Sequence, residues 1–294
     1  MRRVWQAKNC YKAEREWVRR EGNEEWMLHS NLAELNSFTD WNDKIGGAGG
    51  WLESISKWYG ALGGVELYKG DIESGLLNLS TAALCDYVSL VMRANFYSFR
   101  RDKMGQLSSQ NFNLKLGRLI SLGFFEKSSI MAEKMSASYP RSMYYEEYLQ
   151  NCSFVLRLYL RSLGLSEKIG GLPRIEFPPY LTIMDHFLDE DPSETLCVAL
   201  VEACDFHVAQ SRDYTNSATY EFSEPTFQLY PAEILAILRL RENRGLPPAH
   251  IEHTLMDTPN AKLYPIQLPA AYPDFLADFV TRLKTAAPRY ADGL

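Results

Sequence analysis

Between Leu76 and Met92 the apolar side chains Leu76, Leu77, Leu79, Ala83, Leu84, Tyr87, Val88, Val91 and Met92 recur at three- and four-residue spacing, with Asp71 placed to cap the segment. That spacing predicts one long helix from Asp71 to about Arg101, because positions i, i+3, i+4 and i+7 share one side of a helical turn. The stripe is too broad for a single neighbour, so other helices must pack on two sides of it. This segment is the expected centre of the N-terminal half.

The rest of the chain repeats the same grammar. Helical periodicity is read over residues 2–21, 23–35, 51–69, 113–122, 124–135, 142–163, 180–188 and 274–286. It is strongest in a pair of apolar helices, one starting at Ser193 and one running through Ile234, Leu235, Ile237, Leu238 and Leu240 to Gly245. Leu-Gly recurs at expected helix ends, at Leu62-Gly63, Leu122-Gly123 and Leu163-Gly164, as in helical hairpins. No succession of period-two segments rich in β-branched residues occurs. The expected class is all-α, a multi-helix bundle of stacked hairpins.

Residues 36–50 read as turns, with Gly46, Gly47, Gly49 and Gly50 as a hinge. The cluster lacks the Gly-Lys-Ser/Thr ending and the preceding strand of a phosphate-binding loop. The Gly- and Pro-rich stretch 165–179 is the best internal boundary, dividing an N-terminal helical subdomain (1–164) from a C-terminal one (180–294).

Charge and cysteine usage narrow the partners. With 31 basic and 37 acidic residues the formal net charge is −6, which gives no global positive field for a nucleic-acid backbone but suits a basic protein. Cys10, Cys85, Cys152, Cys197 and Cys204 are odd in number and set in apolar stretches, as reduced buried thiols are. Lys8, Lys12, Glu14, Arg15 and Glu16 leave no apolar core for a signal peptide, and no apolar run reaches membrane-spanning length, so a cytoplasmic protein is expected.

Catalytic constellations are sparse. His250, His253 and Asp257 could supply a metal site for a hydrolase, but lack the two-histidine, one-turn spacing of the familiar zinc helix and are bracketed by prolines. Cys204 and His207 are helical neighbours, though Cys204 continues a core-like pattern. No catalytic residue, metal or cofactor is assigned. The acidic and aromatic residues Asp189, Glu190, Asp191, Asp213, Tyr214, Tyr220, Glu221, Glu224 and Phe227 are instead read as a partner-binding surface, with aromatics as anchors and carboxylates for Arg and Lys. Self-association through aromatic-rich hairpins is an alternative use of such a surface.

The segment Tyr230-Pro231-Ala232-Glu233-Ile234-Leu235-Ala236-Ile237-Leu238, following a loop rich in aromatics, resembles the aromatic-x-x-Glu-apolar helix near the end of helical immunity proteins of bacterial polymorphic-toxin and type VI secretion systems. The tail His253 to Pro259, leading to a short final helix, is similar to the same region, while the N-terminal half carries no matching motif. The resemblance implies a non-enzymatic inhibitor that binds a cognate toxin, often a nuclease, and occludes its active site. A helical scaffold or adaptor is the alternative that the residues leave open.

Overall fold

The computed structural model describes the chain except for residues 1–6, 42–43, 100–106, 139–142, 145–149, 166–167, 169–170, 213–219, 266–267 and 270. Its frame is a helical hairpin, α3 (Ile45–Lys69) against α4 (Ile72–Phe99). Gly70 turns the chain between them at a φ of 90°, in the left-handed region, and the Asp71 carboxylate accepts a hydrogen bond from the Ser74 N–H at 3.2 Å. That cap ties down a first-turn N–H that has no partner inside the helix.

The expected hinge at residues 46–50 is instead the first turn and a half of α3. Its glycines are there for close approach rather than flexibility. Ser89 Oγ donates to Gly49 O at 2.9 Å, and a Cβ on Gly49 would run into the Arg93 side chain. Further along, a Cβ on Gly63 would come within 2.8 Å of Gly75 O. Small residues therefore let the two backbones of the hairpin lie together over its whole length.

The broad stripe of α4 has the neighbours it requires. Besides α3, α5 (Ser109–Ser121) and α6 (Phe125–Ser138) pack on it, and Ala83, Cys85, Val88, Leu90, Val91 and Met92 lose essentially all solvent exposure. This helix is long and apolar enough to cross a membrane, yet 89% of its most apolar stretch is covered by the fold. The chain end also rests on it, with Asn95 Nδ2 donating to Tyr290 O at 3.1 Å and to Asp292 O at 2.8 Å.

Around this frame lie α1 (Ala7–Arg19), a single π-helical turn at Glu25–Ser30 leading into α2 (Asn31–Ser37), α7 (Phe154–Ser162), α8 (Pro178–His186), α9 (Glu194–Gln210), α10 (Pro225–Gln228), α11 (Ala232–Asn243) and α12 (Asp274–Ala286). Among the described residues the sole sheet is a parallel pairing of Leu107–Ser108 with Met143–Tyr144, so the class is all-α. Of the expected helix over 142–163, α7 covers Phe154–Ser162. Ahead of it a short 3₁₀ turn, Gln150–Cys152, is held by tertiary bonds: Gln150 Oε1 accepts from the N–H groups of Glu176 and Phe177 at 2.7 and 2.9 Å.

Elements from both sides of residues 165–179 share one core. The helix α11 packs against α5 so closely that a Cβ on Gly117 would lie 3.0 Å from Ala232 O. Arg282 of α12 donates to Leu35 O and Phe38 O at 2.9 and 3.2 Å, closing the end of α2. One continuous cluster of buried apolar side chains runs from Met27 to Ala291.

Candidate functional site

Three polar assemblies stand out against this apolar interior, two buried and one on the surface. The first joins α9 to α11. His207 sits on the inward face of α9 with Ala203 and Cys204, and Glu233 points in from the first turn of α11. Both side chains are fully buried, with His207 Nδ1 at 2.7 Å from Glu233 Oε1 and Nε2 at 3.3 Å from Gln228 O. Both ring nitrogens are thus taken up by oxygen atoms on other elements. Burial, reinforced by the negative charges of Glu233 and Asp205, pushes the Cys204 thiol far above the ordinary cysteine range. A buried thiol without an available base is not a nucleophile. The Cys204 and His207 neighbourhood is a packing arrangement, with Phe222 tilted over the imidazole at 4.1 Å.

The motif that carries the resemblance is part of this same interior. Glu233 holds His207, and Tyr230 Oη pairs with Ser121 Oγ of α5 at 2.7 Å. Its residues fasten α11 to two helices, which explains an aromatic and a glutamate three residues apart without reference to a ligand.

The second assembly crosses α3, α4 and α5. Asp86 is buried in α4 and faces Arg118 and Lys115, which lie one turn apart on α5. The Arg118 guanidinium also donates to Ser56 Oγ at 2.9 Å and Thr226 Oγ1 at 3.2 Å, and lies over the Phe227 ring at 5.0 Å. Lys115 Nζ stands 3.4 Å from Asp86 Oδ1 and 3.7 Å from Glu53 Oε1, and Glu53 in turn binds Arg93. Burial works to lower the Lys115 pKa, but Asp86, Glu53 and Glu224 outweigh it and hold the ammonium above the ordinary lysine value. Only glycine at position 60 leaves room for this group, since a Cβ there would meet Arg118 Nη1 at 2.7 Å. The sequence carried a signal for it in Asp86, a carboxylate inside an otherwise apolar stripe.

This array overturns part of the expected partner surface. Phe227 is fully buried beneath Arg118, and Glu224 is mostly covered, its Oε1 3.5 Å from Lys57 Nζ. Glu221 is buried as well, its carboxylate accepting from the N–H groups of Gln150 and, at 2.9 Å, of Asn151. These three side chains face Arg118, Lys57 and the Gln150–Asn151 backbone and are not displayed. Tyr220 is half-buried with the Arg212 guanidinium 5.7 Å from its ring centre, while Asp213 and Tyr214 lie outside the described residues.

Asp189, Glu190 and Asp191 fare differently. They form the turn between α8 and α9, Glu190 and Asp191 exposed and Asp189 half-buried with Oδ2 2.8 Å from His186 Nδ1. As expected, Ser193 then caps α9, its Oγ accepting from the Leu196 N–H at 3.2 Å. Beyond the cap, Glu194, Val198, Glu202 and Asp205 share the exposed side of α9, where Val198 keeps 53% of its surface open to solvent. Residues 180–211 hold seven carboxylates, Asp185, Asp189, Glu190, Asp191, Glu194, Glu202 and Asp205, and no Lys or Arg. Removing those seven from the chain's 37 leaves 30 against 31 basic residues, so the acidity of the whole protein is concentrated in this hairpin.

A C-terminal strap is tied to the hairpin at two points. The buried Arg241 of α11 donates to Phe187 O at 2.9 Å and Asp189 O at 3.1 Å on one side, and to Pro247 O at 2.9 Å on the other. Asp205 Oδ1 lies 3.2 Å from His253 Nε2. Between the strap and the end of α11 opens a cleft of about 670 Å³, with Leu238, Leu246, Ile251, Met256 and Leu263 on its walls and Glu242 and Asp257 among its polar residues. Sequence reasoning missed this cleft, because it is made by a Pro-rich segment with no periodicity of its own.

Of the residues considered for a metal, His250 and Asp257 line the cleft and His253 does not. His253 turns to Asp205, and the exposed His250 lies 3.3 Å from Glu252. Among the described residues no group of three His, Cys, Asp or Glu side chains converges closely enough to hold a metal ion.

Taken together, fold and surface define an all-α protein with one acidic face beside an apolar cleft. No family model matches the chain, and no curated protein or solved structure matches it either.

Proposed function

We propose that this chain is an immunity protein that binds a cognate bacterial toxin and neutralises it without chemistry of its own. The observation that carries the reading is the concentration of the net negative charge in the α8–α9 hairpin, with exposed Val198 and Leu181 set among the carboxylates. A face of this kind attracts a basic partner over several ångströms and gives it apolar contact once docked. A nuclease, whose substrate groove must be positive, is the toxin class it suits best, and blockade of that groove is the mode of inhibition. The site of action is the cytoplasm of the producing cell. The resemblance of residues 230–238 and 253–259 to helical immunity proteins points the same way.

The test is capture of the tagged protein from its native host under toxin-producing conditions. The wild type should retain one dominant basic polypeptide that is released at high salt, and the triple variant Glu190→Lys, Asp191→Lys, Glu202→Lys should not. Equal retention of the same polypeptide by both would contradict the acidic-face assignment.

A further inference from the structure

The cleft between the strap and α11 lies beside the α8–α9 hairpin. Its walls are largely apolar side chains, and its volume of about 670 Å³ lies within the range of sites that bury a ligand rather than of packing defects. The charges around it are unequal in their freedom. Lys262 Nζ is committed to Met256 O at 2.7 Å, and Glu242 is paired with Arg239. Asp257 is exposed on the cleft wall and makes no hydrogen bond or ion pair with any described residue. Glu252, also exposed, stands nearby on the strap. The cleft therefore offers an apolar interior with one lining carboxylate, Asp257, that has no partner among the described residues, while its one ammonium, Lys262, is held against Met256 O.

We infer that this cleft is a docking site for a segment of the partner protein in which an apolar side chain is followed or preceded by Arg or Lys. The apolar group enters between Ile251 and Met256, and the cation pairs with Asp257. This inference rests on the immunity reading for the identity of the partner, and it extends the contact from the α8–α9 face across the strap. The strap gives the extension its physical basis, since Asp205–His253 and Arg241 fasten it to the hairpin on one side while Ile251 lines the cleft on the other. A partner seated on the acidic face would thus meet a second, apolar foothold within the same docked surface. Buried apolar anchors surrounded by charge are the usual source of binding energy at such interfaces, with outlying charges adding rate and selectivity.

The test uses the full-length protein, with its Ile δ1 and Met ε methyl groups isotopically labelled, and the probe acetyl-Leu-Arg-Ile-Lys-amide. Titration should move the Ile251 and Met256 methyl resonances saturably, while the counterpart acetyl-Leu-Glu-Ile-Glu-amide should leave them in place. Ile251→Lys should weaken the cationic peptide by about tenfold or more, read at Met256, because it fills and charges the apolar interior. Asp257→Asn, at an exposed position that cannot disturb the core, should weaken it by about threefold. Glu16→Gln, on the exposed side of α1 and outside both the cleft and the acidic face, should leave the peptide affinity within twofold of wild type (roughly the scatter expected of a screened surface charge).

Absence of any shift at Ile251 and Met256, equal binding of the acidic peptide, or unchanged affinity in both cleft variants would overturn the assignment. If that happens while the toxin is still captured through the hairpin, the immunity reading stands and the cleft assignment falls. Peptide binding as described with no toxin captured from the host would uphold the chemistry of the cleft and overturn the immunity reading.

Discussion

Asp86 of α4 and Arg118 of α5 form an ion pair in the middle of the fold with both side chains shut off from solvent. Such a pair is a poor source of net stability, because the cost of removing two charges from water rivals their attraction, but a broken one is expensive. Asp86→Leu should therefore cost about 3–5 kcal/mol in urea unfolding, since it leaves buried Arg118 without its carboxylate, and Arg118→Met less than that, since Asp86 keeps Lys115. The double variant should cost clearly less than the sum of the two. Single losses under about 0.5 kcal/mol, the usual size of a surface substitution, would show that the network is solvated and the account of it wrong.

Gly60 and Gly50 lie in the same helix and should respond in opposite directions to alanine. A Cβ at Gly60 meets Thr226 Oγ1 and Arg118 Nη1, both fixed by the buried array, whereas one at Gly50 meets nothing within 4 Å. Gly50→Ala should stabilise the protein by about 0.5–1 kcal/mol through helix propensity. Gly60→Ala should lose that gain and about 1–3 kcal/mol more to overpacking. Thermal denaturation of the two variants side by side decides the point, and a stabilised Gly60→Ala would contradict the close approach of Arg118 to α3.

Glu14 makes the fold sensitive to pH. Its carboxylate is buried where α1 packs on α3, neither oxygen has a hydrogen-bond partner, and burial pushes its pKa well above the ordinary glutamate range. The folded state therefore keeps its proton to a higher pH than the unfolded chain does. The sign follows from linkage: this contribution is fully present below the unfolded glutamate value and is lost as pH rises through the raised folded value. Glu14→Gln should remove that decline, leaving the variant more stable than wild type at pH ~8 and little changed at pH ~4. Urea midpoints across that interval, parallel for the two proteins, would contradict the assignment.

Much of the helical skeleton was legible in the sequence. The final helix has the expected bounds, Asp274–Ala286, and Asp71 and Ser193 cap the helices they were expected to cap, because these features depend on local periodicity and local side-chain bonds. Gly46 to Gly50 misled because glycine serves flexibility and close approach equally well, and the use made of Gly49 depends on Arg93 and Ser89, forty residues away. The loop acids divided for a similar reason. Asp189, Glu190 and Asp191 stay on a turn, where Asp189 reaches the neighbouring His186, while Glu221 folds onto the N–H groups of Gln150 and Asn151, a demand no local pattern announces. The cleft could not be read at all, since its walls come from an aperiodic strap laid against α11.

The measurement that bears most directly on the central claim is the association rate of the purified protein with its captured partner as a function of ionic strength. For an acidic face meeting a basic one, the rate constant should fall by about tenfold or more between ~50 and ~500 mM salt, as screening shortens the reach of the charges. In the Glu190→Lys, Asp191→Lys, Glu202→Lys variant the rate should be low throughout and nearly flat. A rate that ignores salt in the wild type and is untouched in the variant would mean that the α8–α9 face is not where the partner binds.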